Sequence, residues 1–294
     1  MTTTEQTVRP QPEPIREPFE SVAHGWRHQV RATWVVLRRE LLRFGQDRTR
    51  MFVMLIQPLL FLFVMGTGLS SIVSTGGNTS FRTFLFPGVL ATSVLFTAAF
   101  SGISLVWDRE FGFLREMLVA PIGRASIIVG KCLGGAIVAT LQSLILLAMA
   151  GLVDVPYDPW MLLGLIGCLF LGALLLTSIG VVMSTRIKTI QAAMPASQLL
   201  ITPMMFLSGS LFPINGLPYW LSVLTRVNPL TYVVQPMRHL VLAQLHLTQA
   251  ERARLLPDIT WFGWHVPVGI QLLLVLACAL GLMSLAVASF RKSE

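Results

Sequence analysis

The chain has 294 residues, 54% of them hydrophobic and only 12% charged, and its mean hydropathy is +0.69. Soluble domains are about one quarter charged, so this composition excludes an ordinary soluble enzyme, and it is too apolar for a disordered chain. The net charge of +8 would suit a nucleic-acid binder, but the basic residues stand between apolar blocks. Membrane topology accounts for them there, and no nucleic-acid partner is expected.

Residues 1–22 are polar, carry Pro10, Pro12, Pro14 and Pro18, and lack the apolar centre of a signal peptide. They read as a disordered cytoplasmic tail. Residues 23–48 read as an amphipathic helix. Trp26, Val30, Trp34, Leu37, Leu41 and Phe44 recur at steps of four and three, and Arg27, Arg31, Arg38, Arg39 and Arg43 lie mostly off that face. Tryptophan rings sit at headgroup depth and arginines meet anionic lipid, so the pattern fits the membrane interface. Trp26, Arg31, Trp34, Arg38, Arg39 and Phe44 are its candidate contact residues. A helix packed on a soluble partner would show the same pattern.

Residues 49–294 read as a membrane domain. Six apolar blocks, 51–69, 84–106, 127–150, 161–183, 191–212 and 266–290, each approach twenty residues. At about 1.5 Å per residue each is long enough for one crossing. The expected fold is all-α and integral to the membrane, with six transmembrane helices. The fifth block contains Pro195 and Pro203. An even number of spans puts both termini on one side, and 17 of the 22 Lys and Arg fall on that side. The positive-inside rule makes it the cytoplasm. Residues 217–245 are also apolar but hold Arg226, Asn228, Pro229, Gln235, Pro236 and Arg238. A central arginine costs roughly 2.5–3.5 kcal/mol on insertion scales, and a seventh crossing would put Arg291 and Lys292 outside. A re-entrant or surface-lying helical hairpin on the outer face is expected instead.

The loop 108–121 is short and dense in both charge signs. Glu110, Phe113, Leu114, Met117 and Leu118 permit a short amphipathic helix that stops near Pro121. Such a helix suits docking to a protein; a solvated loop whose charges only set topology is the alternative.

Catalytic chemistry has no footing here. His24 and His28 stand four apart without a third ligand, so no metal site is expected. The run from Ala125 to Cys132 lacks the first glycine and the Ser/Thr of a phosphate loop. Cys132, Cys168 and Cys278 lie inside apolar blocks without ligand spacing. Within the spans the only ionisable group among Asp, Glu, His, Lys and Arg is Lys131, at an inner boundary. Proton-coupled transport needs intramembrane ionisable groups, so energy must come from elsewhere. Gln57, Gln142, Ser143, Gln198, Thr202 and Gln271 are polar candidates for helix contacts or a substrate path, and Gly130, Gly134 and Gly135 permit close helix packing.

Three runs carry a family resemblance: Phe86-Pro87-Gly88; Asp108-Arg109-Glu110 with Leu114 to Pro121, Arg124 and Gly130-Lys131; and Ser208 to Ile214 with Leu217 to Leu221, Asn228 to Tyr232 and Arg238. Over residues 25–292 the chain resembles the membrane subunits of type-2 ABC exporters, nearest the daunorubicin-resistance permeases and the nodulation lipo-oligosaccharide exporters. The resemblance implies a permease, not an enzyme, in a bacterial plasma membrane. Two copies, identical or close paralogues, would pair with two separate ATPase subunits. ATP and Mg would bind those subunits, with no cofactor on this chain. The cargo would be an amphipathic, hydrophobic drug or natural product, with antibiotic resistance as one outcome. A glycolipid, lipo-oligosaccharide or polysaccharide is the alternative cargo, and a non-transporting anchor a remote one.

The resemblance makes 23–48 the connecting helix. It makes 108–121 the coupling helix, with Asp108, Arg109, Glu110, Phe113, Leu114, Arg115, Glu116, Met117 and Pro121 as ATPase-coupling residues. Phe212, Pro213, Asn228, Pro229 and Arg238 mark the outer re-entrant segment. The path would run between the two permeases along the second and fifth spans, past Phe96, Phe100, Gln198, Thr202, Met205 and Phe206.

Overall fold

The computed structural model describes residues 25–70, 81–120, 122–153, 155–212, 214, 217–244, 255–256, 259–261 and 264–293. The expected tail 1–22, His24, Pro121 and Pro213 lie outside the described residues. Helix α1 (Trp26–Gln46) is followed at once by α2 (Arg48–Leu60), with Asp47 between them accepting the Arg50 backbone N–H at 3.0 Å. A carboxylate there satisfies one of the orphan donors of the new helix. Past Pro58 the chain widens into a π-helical stretch, Phe61–Met65, and continues into α3 (Gly66–Ser70). Then come α4 (Phe81–Glu110), α5 (Phe113–Val119), α6 (Arg124–Leu147), a 3-10 turn (Ala150–Val153), α7 (Pro159–Arg186) and α8 (Ile190–Phe206). Two short helices follow, α9 (Tyr219–Val227) and α10 (Thr231–Ala243), then the antiparallel pair β1 (Thr260–Trp261) and β2 (Trp264–His265), and finally α11 (Val268–Ser293).

Five stretches among the described residues are long and apolar enough to cross a membrane: Arg48–Gly68, α4, α6, α7 and Val268–Lys292. The fifth expected span, 191–212, coincides with a 17-residue helix that stops at Phe206. At about 1.5 Å per residue it is roughly 26 Å long. The chain then turns through Gly209, whose φ of 71° is the left-handed region that glycine tolerates. The hydroxyls of Ser208 and Ser210 both donate to the Met205 carbonyl, closing the end of the helix.

Helix α4 is the centre of the bundle, packed against α2, α6, α7, α8 and α10. Small residues set the closest approaches. A Cβ on Gly102 would stand 2.5 Å from the Gly180 carbonyl carbon, so α4 and α7 cross nearly backbone to backbone. In a bilayer, where lipid is as apolar as leucine, such close packing is what holds helices together. The stretch Arg48–Gly68 and helix α11 are peripheral: Phe52, Val53, Ile56, Leu60 and Val64 on the first, and Ile270, Leu273, Leu280 and Leu285 on the second, are exposed. Bands of this kind on a soluble monomer would aggregate, and they suit lipid.

The hairpin of α9 and α10 enters the bundle. Val233 packs on Gly172 and Leu240 on Gly164, so α10 runs antiparallel to α7. Gly172 lies thirteen residues beyond Pro159, about 20 Å along the helix. The tip of the hairpin therefore reaches well into the layer of spans. Its irregular backbone is satisfied by protein, as an apolar setting demands. Asn228 donates to the Met204 carbonyl at 2.8 Å and accepts from the Leu230 N–H at 3.0 Å. Thr231 donates to the Thr225 carbonyl, and the Tyr232 hydroxyl to that of Arg226, each at 2.7 Å.

Candidate functional site

At the α1 end of the bundle, three helices meet at one buried ion network. Lys131 of α6 is the hub. Its Nζ lies 2.9 Å from Glu40 Oε1 of α1, 2.6 Å from Asp108 Oδ2 of α4 and 3.0 Å from Ser104 Oγ. The other Asp108 oxygen takes Arg39 at 2.5 Å, with Arg43 at 3.6 Å. The side chains of Lys131, Asp108 and Glu40 are 1%, 1% and 7% exposed. Buried charges persist only when paired and hydrogen-bonded, and here each carboxylate finds a cation on another helix. The approach depends on glycine: a Cβ on Gly130 would meet Val36 Cβ at 2.8 Å, and one on Gly134 would meet Glu40 Cβ at 3.0 Å.

This geometry corrects the expected coupling segment 108–121. It is not one surface helix. Asp108, Arg109 and Glu110 are the last turn of α4, and each is engaged within the chain, Asp108 buried, Arg109 half-buried and Glu110 exposed. Asp108 is buried in the network rather than free for a partner. Arg109 donates to the Ile187 carbonyl at 2.8 Å, near the end of α7. Glu110 accepts the Ile190 N–H at 2.7 Å, where a carboxylate favours the start of α8. Gly112, at φ 83°, reverses the chain into the seven-residue α5. On α5, Leu114 is buried and Met117 is half-buried, its sulfur accepting from Arg39 at 3.2 Å. Phe113, Arg115, Glu116 and Val119 face outward. The Arg39 guanidinium also stands 5.9 Å from the Phe113 ring, so one arginine of α1 holds both the network and α5.

Helix α1 has two apolar faces where periodicity indicated one. Ala32, Val36, Leu37 and Glu40 are buried against the protein, whereas Trp26, Val30 and Trp34 are exposed. Arg31 and Arg38 are exposed and Phe44 is half-buried. The tryptophan face is thus exposed, while Arg39 is committed to protein.

Within one copy the expected path residues lie in different settings. Phe96 and Met205 pack into the main core. Phe100 packs with Ile103, Val106 and Ala193 in a smaller cluster. Gln198 and Phe206 are exposed on α8, where Gln198 donates to Thr202 at 2.9 Å.

At the opposite end the expected motifs converge. Arg238 is 0% exposed, not an anchor at the bundle surface. Its guanidinium lies 4.3 Å from the Phe84 ring and donates to the Gly209 carbonyl at 2.7 Å. A Cβ on Gly88 would collide with the Ser210 carbonyl oxygen, so the Phe86-Pro87-Gly88 turn of α4 and the turn after α8 fit only through glycine. Asn228 and Pro229 form the hairpin tip, and Phe212 is half-buried beyond α8.

Glu40 and Lys131 were not legible as site residues. A signal existed: Lys131 is the lone basic residue within the expected spans and Glu40 the lone acid of α1, and an intramembrane charge needs a partner.

A helical bundle with apolar outer bands, an ion-locked amphipathic helix at one end and a helical hairpin packed into the other is the build of a multi-pass membrane protein. Residues 31–242 match the family model described as ABC-2 type transporter, and the chain belongs to that family. Among curated relatives, a Cyanophora paradoxa protein named as a transport permease, ycf38, is 25% identical over 72% of this chain and 74% of its own length. Nodulation protein J of Rhizobium leguminosarum bv. viciae is 30% identical over 65% of this chain and 74% of its own. A protein of Escherichia coli (strain K12) named as a multidrug ABC transporter permease, YbhR, is 28% identical over 63% of this chain and 48% of its own.

Proposed function

We propose that this chain is the permease subunit of an ATP-driven exporter. It works as one of two permease copies in a bacterial plasma membrane, with both termini and the α1 end in the cytoplasm. A separate ATPase subunit, present twice, binds ATP and Mg. The cargo is an amphipathic drug or natural product. The observation that carries the coupling claim is the arrangement of α5: Phe113, Arg115, Glu116 and Val119 are exposed on a helix that Arg39 ties, through Met117 and Phe113, to the Arg39–Asp108–Lys131–Glu40 network. A push on α5 reaches α1 through Arg39, α4 through Asp108 and α6 through Lys131. Charged groups locked in a dry network transmit displacement because separating them is costly. The ATPase states then differ in how they bind α5, and that difference drives the permease between its conformations.

The test is purification of this chain from its native membrane in mild detergent. A co-purifying subunit with Walker motifs and vanadate-sensitive ATP hydrolysis is expected. Glu116→Arg should abolish cargo-stimulated hydrolysis while membrane insertion stays intact. Normal export by that variant would overturn the coupling role of α5, and a chain that never binds an ATPase would overturn the exporter reading.

A further inference from the structure

The elbow between α1 and α2 stands off the bundle and leaves a cavity of about 300 Å³ against α4, α6 and α8. No expected path residue except Phe100 faces it. Its mouth carries Arg43 and Arg50, its walls include Phe100, Trp107 and Met194, and Thr97 lies at its far end. Along α4, Thr97 and Trp107 are ten residues apart, about 15 Å, so the cavity is elongated along that helix. One end is charged, and the rest mixes aromatic and thioether groups with Val138 and the hydroxyls of Thr97, Ser101 and Ser104.

Two groups in it are unsatisfied. The Arg50 guanidinium makes no hydrogen bond or ion pair among the described residues, although it stands at the first turn of a membrane span. Thr97 is 2% exposed and its hydroxyl has no hydrogen-bond partner. The two carboxylates of the lining are already engaged, Glu40 by Lys131 at 2.9 Å and Asp47 by the Arg50 backbone N–H at 3.0 Å. Arg43 is only loosely held, 3.6 Å from Asp108 and 5.9 Å from the Trp107 ring. A neutral N–H leaves Asp47 charged, so the mouth and the network it joins set Arg39, Arg43, Arg50 and Lys131 against Glu40, Asp47 and Asp108, a surplus of one positive charge. A guanidinium binds phosphate through two parallel N–H donors, and buried hydroxyls are normally satisfied.

We propose that this cavity is a binding site for an anionic amphiphile, with a phosphate-type headgroup held by Arg50 and Arg43 and an apolar body extending along α4 toward Thr97. The charge at the mouth selects against neutral and zwitterionic headgroups, and the Thr97 hydroxyl favours a body with a hydrogen-bonding group partway along it.

The test is native mass spectrometry of the full chain in detergent, titrated with dioleoyl phosphatidylglycerol and, as control, dioleoyl phosphatidylcholine. The wild type should retain phosphatidylglycerol in preference to phosphatidylcholine. Arg50→Gln should weaken phosphatidylglycerol roughly tenfold, the loss expected for one charge-assisted pair, and abolish the preference. Arg50→Lys should restore part of it. Met194→Trp, which fills the cavity from a partly exposed position, should lose phosphatidylglycerol without touching any charge. Wild-type binding by both Arg50→Gln and Met194→Trp would overturn the proposal, and if Arg50→Gln does not fold, Met194→Trp decides alone. In vesicles holding the assembled transporter, ATP-dependent transfer of a fluorescent phosphatidylglycerol would mark the bound amphiphile as cargo. Binding without transfer would mark it as a resident lipid of the same site. The binding assay needs no ATPase, so its failure leaves the exporter reading standing, and failure of that reading leaves the site standing.

Discussion

Substituting Lys131 by methionine keeps most of the side-chain volume and removes the hub charge. Asp108 retains Arg39 at 2.5 Å, but Glu40 loses its one hydrogen-bonded cation, at 2.9 Å, while staying 7% exposed. At an effective dielectric of 20 the bare attraction at that separation is about 6 kcal/mol, offset by the cost of drying both groups. Removing one member of such a pair costs about 3–5 kcal/mol, because the other is left charged and dry. For a chain of this size that is on the order of 10 °C in apparent melting temperature. The assay is thermal unfolding in detergent of Lys131→Met, Glu40→Gln and the double variant. The double variant should recover at least half of the loss, because it removes the stranded carboxylate. A Lys131→Met protein as stable as the wild type, or a double variant no better than Lys131→Met, would refute the account of the network as a paired lock.

Gly88→Ala places a methyl against the Ser210 carbonyl, where neither backbone can yield freely; overpacking of this kind costs about 1–3 kcal/mol, and a lower melting temperature with a broadened size-exclusion profile checks it. Gly134→Leu should prise α1 from α6, shown by faster proteolysis between α1 and α2 with the rest of the bundle intact. Arg238→Met should be neutral or stabilising, since Arg238 is buried with two guanidinium nitrogens unbonded and apolar replacement of buried charge is often favourable, whereas Arg238→Ala should cost about 2–4 kcal/mol through the cavity left on Phe84; equal losses for the two variants would contradict the unpaired-charge account.

Much of the architecture was legible because a bilayer imposes simple rules. Runs of apolar residues near twenty long locate spans, and α4, α6, α7 and α11 each cover a block so identified. The helix at 26–46 followed from period alone, but its packed face did not. Trp26 and Trp34 dominate the pattern yet are exposed, while the smaller Ala32 and Val36 face α6. Periodicity ranks residues by hydrophobicity, and at a membrane surface both lipid and protein accept apolar side chains. The site was read less well. Arg115 and Glu116 are exposed as docking would require, but of the carboxylates indistinguishable from them by composition Asp108 is buried and Glu110, though exposed, is engaged by the Ile190 N–H. Which carboxylate is free depends on how far α4 runs, and helix ends are where local signals are weakest.

By itself the amino-acid sequence determined that this chain lives in a membrane, roughly where it crosses, and which short runs carry the family's marks, because hydropathy and spacing are properties of neighbours along the chain. The pairing of Glu40 with Lys131 and Asp108, residues 91 and 23 positions from the hub, was decided only when glycines let α1 and α4 close on α6. So was the seat of Arg238 on Phe84, more than 150 residues away. Buried charges need partners within a few ångströms, and those partners are chosen by helix packing, which no local pattern records.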